Sequence, residues 1–160
     1  MADLAGKSLI AKLTVDGGDG FFPVGYTVGS SILGNGGWLI QQGQPQDDAL
    51  FRFDFMELMG GWLHCDIIGA SGTAYEGAKV GLSSSGALGF YKAAKVKDVW
   101  RVDLQGNMEK LTAFEFRLLA YTGQQVRIIS NQSAHFSRAQ HLNACDGVPA
   151  RFRADIVAYL

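Results

Sequence analysis

The chain has 160 residues, 48% of them apolar and 18% charged, with 21 Gly against 3 Pro and a formal net charge of −1 from 14 Lys+Arg and 15 Asp+Glu. That is the length of one globular domain with its own core, and it is too apolar and too rich in aromatic side chains for intrinsic disorder. The near-neutral balance excludes binders that depend on a surplus of cations, so neither nucleic acid nor an anionic membrane surface is an expected partner.

The first residues, Met1-Ala2-Asp3-Leu4-Ala5-Gly6-Lys7, lack the cationic start and apolar run of a secretory signal. No apolar stretch approaches the roughly 20 residues of a spanning helix. The expectation is a soluble protein, cytoplasmic or exported without a conventional signal peptide, with no membrane insertion by this domain alone. The first predicted strand covers 8–15, followed by the turn Asp16-Gly17-Gly18-Asp19-Gly20 and β-like runs over 21–28 and 38–42. Phe51-Arg52-Phe53-Asp54-Phe55 closes this unit. After the Gly60-Gly61 junction a second apolar run, 62–68, leads into the turn Gly69-Ala70-Ser71-Gly72, then into runs over 78–82 and 88–92. Trp100-Arg101-Val102-Asp103-Leu104 closes the second unit. The third opens with 114–121 and turns at Thr122-Gly123-Gln124. It continues through 125–130 and 134–137, crosses a loop over 138–148 and ends on Phe152-Arg153-Ala154-Asp155-Ile156. Helical periodicity is nearly absent, because glycines interrupt every candidate window.

The three closing pentapeptides share one pattern: apolar at the first, third and fifth positions, Arg at the second and Asp at the fourth. A period of 2 is that of a strand with one buried face. It also puts each Arg and Asp on the same outward side, where they serve solubility and register. Recurrence near every 50 residues divides the chain into units of about 7–58, 59–110 and 111–160, packed as a single domain over 1–160.

Three units of four short strands, each closing on an aromatic-led alternating strand, resemble the β-trefoil superfamily over essentially the whole chain, in its lectin-like and fascin-like branches. The segments Ala49-Leu50-Phe51, Ala150-Arg151-Phe152 and the variant Asp98-Val99-Trp100 carry the likeness, with Phe116-Arg117-Leu118-Leu119-Ala120 and Gln125-Val126-Arg127-Ile128. The resemblance implies an all-β fold in which six strands form a barrel and six more form three hairpins capping one end. Such closure removes exposed strand edges. The Gln-x-Trp marker of ricin-type units is missing, since Trp38, Trp62 and Trp100 stand in other contexts. The basic patch of heparin-binding trefoils is missing too. Lys92, Lys95 and Lys97 read as a solvated edge that discourages strand pairing.

Catalytic sets are not found. Tyr75-x-x-x-Lys79 has dehydrogenase spacing but no nucleotide-binding βαβ unit around it. Ser83, Ser84 and Ser85 lack the Gly-x-Ser-x-Gly elbow. His64 reads as a hydrogen-bonded strand histidine whose neighbour Cys65 points to the other face. The spacing of His135, His141 and Cys145 matches no zinc pattern. Cys65 and Cys145 read as free thiols, and the sequon Asn131-Gln132-Ser133 as idle. No cofactor or metal is expected.

A sugar site needs polar groups for the hydroxyls and an aromatic face for the apolar side of the pyranose. In the first unit Asp16, Asp19, Asn35 and Trp38 offer both. In the third, His135, Arg138, Asn143 and Asp146 form the richest polar cluster. The second unit, with Tyr75, Glu76 and Tyr91, offers less. The competing account of each is an ordinary polar loop. The expected function is therefore a non-enzymatic, lectin-like module whose partner is a glycan. A fascin-like protein-interaction module or a protease inhibitor acting through 138–148 stands as the alternative, and a homodimer is compatible with either.

Overall fold

The computed structural model of the protein describes residues 4–27, 37–42, 49–97, 99–105, 112–128 and 141–160. Thirteen strands lie in them: β1 (Ser8–Asp16), β2 (Phe21–Tyr26), β3 (Leu39–Gln41), β4 (Phe51–Phe55), β5 (Leu63–Gly69), β6 (Lys79–Leu82), β7 (Leu88–Tyr91), β8 (Trp100–Gln105), β9 (Ala113–Leu119), β10 (Arg127–Ile128), β11 (Leu142–Asn143), β12 (Val148–Pro149) and β13 (Arg151–Tyr159). A single 3-10 turn, Ala93–Lys95, is the only helical piece among the described residues. No helix there is long and apolar enough to cross a membrane.

Six strands close on themselves. β1 pairs with β4, β4 with β5, β5 with β8, β8 with β9, β9 with β13 and β13 with β1, every pair antiparallel. The ring leaves none of its six strands with an open edge, which removes the commonest route to edge-to-edge association. All three Arg/Asp pentapeptides lie on ring strands, and their alternation is the burial pattern: Phe51, Phe53 and Phe55 on β4, Trp100 and Val102 on β8, and Phe152 and Ala154 on β13 are buried. Facing strands fill the same interior with Leu9, Ala11, Leu63, Cys65, Phe114 and Phe116. Phe116 stacks on Phe152 at 5.4 Å and meets Phe53 edge-on at 6.0 Å.

Outside the ring, Arg52 and Asp54 pair at 2.8 Å and Arg153 and Asp155 at 3.2 Å, as the alternation predicts. Such exposed pairs contribute roughly 0–1 kcal/mol each. The middle pair departs from the pattern: Arg101 lies over the Trp62 ring at 5.7 Å, and Asp103 accepts a hydrogen bond from the Gln105 amide. His64 is buried opposite Arg101 across the ladder, and contrary to the hydrogen-bonded histidine expected there its Nδ1 has no hydrogen-bond partner among the described residues.

The remaining strands pair as β2 with β3, β6 with β7, and β10 with both β11 and β12. Bridges link these groups to one another: Trp38 to Gly89, Ile40 to His141 and Ala87 to Asn143. The backbone N–H of Phe90 donates to the Gly37 carbonyl at 2.9 Å, and that of Ala144 to the Gly86 carbonyl at 2.8 Å. Beneath them Val24, Leu39, Val80, Leu88, Ile128 and Leu142 continue the core. Of the loop expected over 138–148, residues 138–140 lie outside the described residues and 144–147 are bends, but Leu142 and Asn143 depart from it, because Leu142 is fully buried and pairs with Ile128 to make β11. A two-residue strand is too short to carry a period. The strand expected over 134–137 lies outside the described residues.

Both cysteines are free, Cys65 buried and Cys145 exposed. Burial, with help from Asp66 and Asp54, pushes the Cys65 thiol well above its ordinary value. A thiol reagent at pH 7–8 is expected to label one cysteine in the native protein and two in denaturant; two labels without denaturant would mean that the ring interior is open. With the folded value raised, the neutral thiol's contribution to stability is fully present below the unfolded value of about 8.5 and is lost as pH rises above it.

Candidate functional site

Two stretches distant in sequence enclose a cleft of about 350 Å³: one runs from the β6–β7 pair through the 3-10 turn to Trp100, and the other is the bend at Ala120, Tyr121 and Thr122. Each is fixed by local chemistry. Trp100 is 4% exposed, and its indole Nε1 donates to the Val80 carbonyl at 2.9 Å, tying the ring to the hairpin and making the back wall. The 3-10 turn is closed by the Lys95 N–H on the Lys92 carbonyl at 2.9 Å and by the Val96 N–H on the Ala93 carbonyl at 3.2 Å. Gly123 has a φ of 94°, a conformation that favours glycine, and its N–H donates to the Ala120 carbonyl, which carries Tyr121 out to the rim.

Gly81 and Gly89 stand opposite each other on β6 and β7, so both lack side chains on the same face. A Cβ on Gly81 would lie 3.1 Å from a Val96 methyl and 3.3 Å from the Tyr91 ring, and one on Gly89 would lie 2.8 Å from the Trp38 indole. The glycine pair therefore lets Tyr91, Val96 and Trp38 settle onto the hairpin. Trp38 meets Tyr91 edge-on, with centroids 6.3 Å apart and planes at 83°. Burial raises the Tyr91 phenol, so it remains a protonated donor and acceptor at neutral pH. The cleft thus has an apolar floor of Val80, Leu82, Val96 and Val99, phenols at Tyr91 and Tyr121, and ammonium groups at Lys95 and Lys97.

Of the residues expected to bind ligand, Asn35, His135 and Arg138 lie outside the described residues. Asp16 accepts the N–H groups of Gly18 at 2.7 Å and Gly20 at 3.1 Å through one carboxylate oxygen, so it is engaged in closing its own turn. Asp19 is exposed at the tip of that turn. Asn143 is buried, and its side-chain carbonyl accepts the N–H groups of Cys145 at 2.9 Å and Asp146 at 2.6 Å; Asp146 is exposed. Gly17 packs against Ile128 and Val148, which sets the 16–20 turn beside the β10–β12 pair. Trp38 belongs elsewhere, half-buried behind Tyr91.

Within the second unit, Tyr75 is stacked on Phe90 at 5.0 Å and Lys79 is paired with Asp66 at 3.3 Å, so the dehydrogenase-like spacing serves packing and an ion pair. Ser83 Oγ accepts the Ala87 N–H at 3.0 Å and braces its loop. No group of three His, Cys, Asp or Glu among the described residues is placed to hold a metal ion. Sequence reasoning missed Lys95, Lys97 and Tyr121. Alternation could have marked Val96 as the inward residue between two lysines, but nothing local points to Tyr121, which reaches the cleft from the next unit.

No family model, no curated protein and no solved structure matches the chain.

Proposed function

We propose that the protein is a non-enzymatic, carbohydrate-binding β-trefoil and that its sugar site is the cleft between β6–β7 and the 120–122 bend. The closed six-stranded ring with its linked outer strands supports the trefoil reading. One observation carries the functional reading: an open cleft of about 350 Å³ with an apolar floor and phenols at its walls. Ligand sites run from roughly 300 to 1,000 Å³, and that lower end suits one or two pyranose rings. A pyranose has one apolar face, which an aromatic ring covers, and an equator of hydroxyls, which phenols and ammonium groups satisfy. Tyr91 and Tyr121 supply both kinds of contact. Their partners in the wall, Gly81 and Val96, are packed closely enough to hold the shape before ligand arrives, which lowers the ordering cost of binding.

On a glycan array the folded protein is expected to bind a restricted set of sugars. Tyr121→Ala is expected to weaken that binding about tenfold or more, while thermal stability stays within about 0.5 kcal/mol because Tyr121 is 58% exposed. A folded wild-type protein that binds no sugar overturns the reading, and so does binding that Tyr121→Ala leaves intact.

A further inference from the structure

The repeated Arg and Asp behave differently beside the cleft. In the first and third units they pair with each other, Arg52 with Asp54 at 2.8 Å and Arg153 with Asp155 at 3.2 Å. In the second unit Asp103 accepts from the Gln105 amide instead, and the Arg101 guanidinium is turned to two other groups. Its Nη2 donates to the Tyr121 carbonyl at 3.4 Å, and its central carbon lies 5.7 Å from the centroid of the Trp62 ring. Exposed ion pairs and exposed cation–π contacts are each worth at most about 1 kcal/mol, so the exchange does little for stability. What it changes is the surface.

That surface continues the cleft. Tyr121 stands on the cleft rim and is 58% exposed. Arg101 comes next, on β8, opposite Leu119 of β9 on one side and His64 of β5 on the other. Trp62 lies beyond it. Leu63 is buried in the ring and paired with Val102, so alternation turns the preceding residue outward. Trp62 is still 39% exposed, although the guanidinium covers one face of its ring. A single guanidinium therefore spans the gap between the rim and an open indole.

We propose that Arg101 and Trp62 form a second subsite, which takes the following rings of an oligosaccharide whose first ring or two lie in the cleft. The inference rests on the carbohydrate reading above and extends it from a single sugar to a chain. A longer chain has to leave the cleft over a rim, and over the Tyr121 rim it meets the same two kinds of contact again. The indole offers an apolar face to a pyranose, and the flat fork of arginine offers several N–H donors to hydroxyls. The cation holds the Trp62 ring in place before ligand arrives, which lowers the ordering cost of binding.

Titration calorimetry with glucose, galactose and N-acetylglucosamine, each as the monosaccharide and as its β-1,4-linked di-, tri- and tetrasaccharide, tests it. In at least one series the trisaccharide is expected to bind about tenfold more tightly than the monosaccharide. In Trp62→Ala that ratio is expected to fall below about twofold, and Trp62→Phe is expected to restore most of it. Phe21→Ala, which removes an exposed ring away from the cleft, is expected to keep it. The indole N–H resonance of Trp62 is expected to move with the trisaccharide and to stay still with the monosaccharide. Equal affinity along every series, a length dependence that survives Trp62→Ala, or a Trp62 resonance that ignores the trisaccharide overturns this inference and leaves the carbohydrate reading standing. Failure to bind any member of the three series overturns both.

Discussion

Phe116→Ala is expected to lower stability by about 3–5 kcal/mol, near the upper end of what a single truncation costs in a packed core. Phe116 has no solvent exposure and sits where three other rings converge: Phe152 stacked at 5.4 Å, Phe114 at 5.3 Å and Phe53 edge-on at 6.0 Å. Those neighbours come from three different ring strands, so the void cannot be closed by shifting one of them. Each ring pair adds roughly 0.5–1.5 kcal/mol beyond the area it buries. In a chain of this size that loss lowers the melting temperature by about 6–20 °C. The same truncation at Phe21, 37% exposed at the start of β2, is expected to cost less than about 1 kcal/mol. Thermal and denaturant unfolding of the two variants checks the pair, and equal losses would mean that the interior of the ring is not where the structure puts it.

Gly69→Ala is expected to be comparably damaging for a different reason. The backbone of Gly69 is not in the left-handed region, so alanine could adopt its conformation. A Cβ there, however, would overlap the backbone carbonyl of Tyr75, which cannot rotate away as a side chain could. That carbonyl accepts the Ala78 N–H, while the Gly69 N–H donates to the Ala78 carbonyl at 2.8 Å and its carbonyl accepts the Gly77 N–H at 3.0 Å. Moving Tyr75 would break this knot and lift its ring from Phe90 and Tyr26. Overpacking costs about 1–3 kcal/mol where side chains can yield and more where backbone must move. A loss of 3 kcal/mol or more is therefore expected at position 69. Gly72, three residues on, has a φ of 83° and open space around its Cα; alanine there costs only the left-handed penalty of about 1–2 kcal/mol. The contrast separates close approach from conformational freedom, and a larger loss at 72 than at 69 would contradict it.

Much of the ring was legible because its strands are half-buried and alternate. Phe51, Phe53 and Phe55 against Arg52 and Asp54 give the period, and the predicted span of β4 coincides with the observed one. Strands β1, β5, β8 and β9 were placed within one or two residues for the same reason. The short outer strands were harder. Leu142 and Asn143 make a strand only because Ile128 and the bridge from Asn143 to Ala87 are there to receive them.

The site was less legible, because residue type does not say where a polar group spends its hydrogen bonds. Asp16 and Asn143 have the right chemistry for sugar hydroxyls, yet each turns its oxygen back onto two backbone N–H groups nearby, which is what Asp and Asn do in tight turns. The Asp-Gly-Gly-Asp-Gly run already carried that signal. Lys95 and Lys97 have the composition of a solvated edge, and only the fold sets Tyr91 and Tyr121 across from them.

The central claim, that the cleft rather than the polar turns takes the sugar, is tested most directly by amide chemical-shift mapping with the methyl glycosides of galactose and glucuronic acid at millimolar concentration. The largest shifts are expected at Gly81, Leu82, Tyr91, Val96, Tyr121 and Thr122, with Asp19 and Asp146 unmoved. Shifts centred on Asp19 and Asp146 with the cleft silent, or no shifts with either sugar, would contradict it.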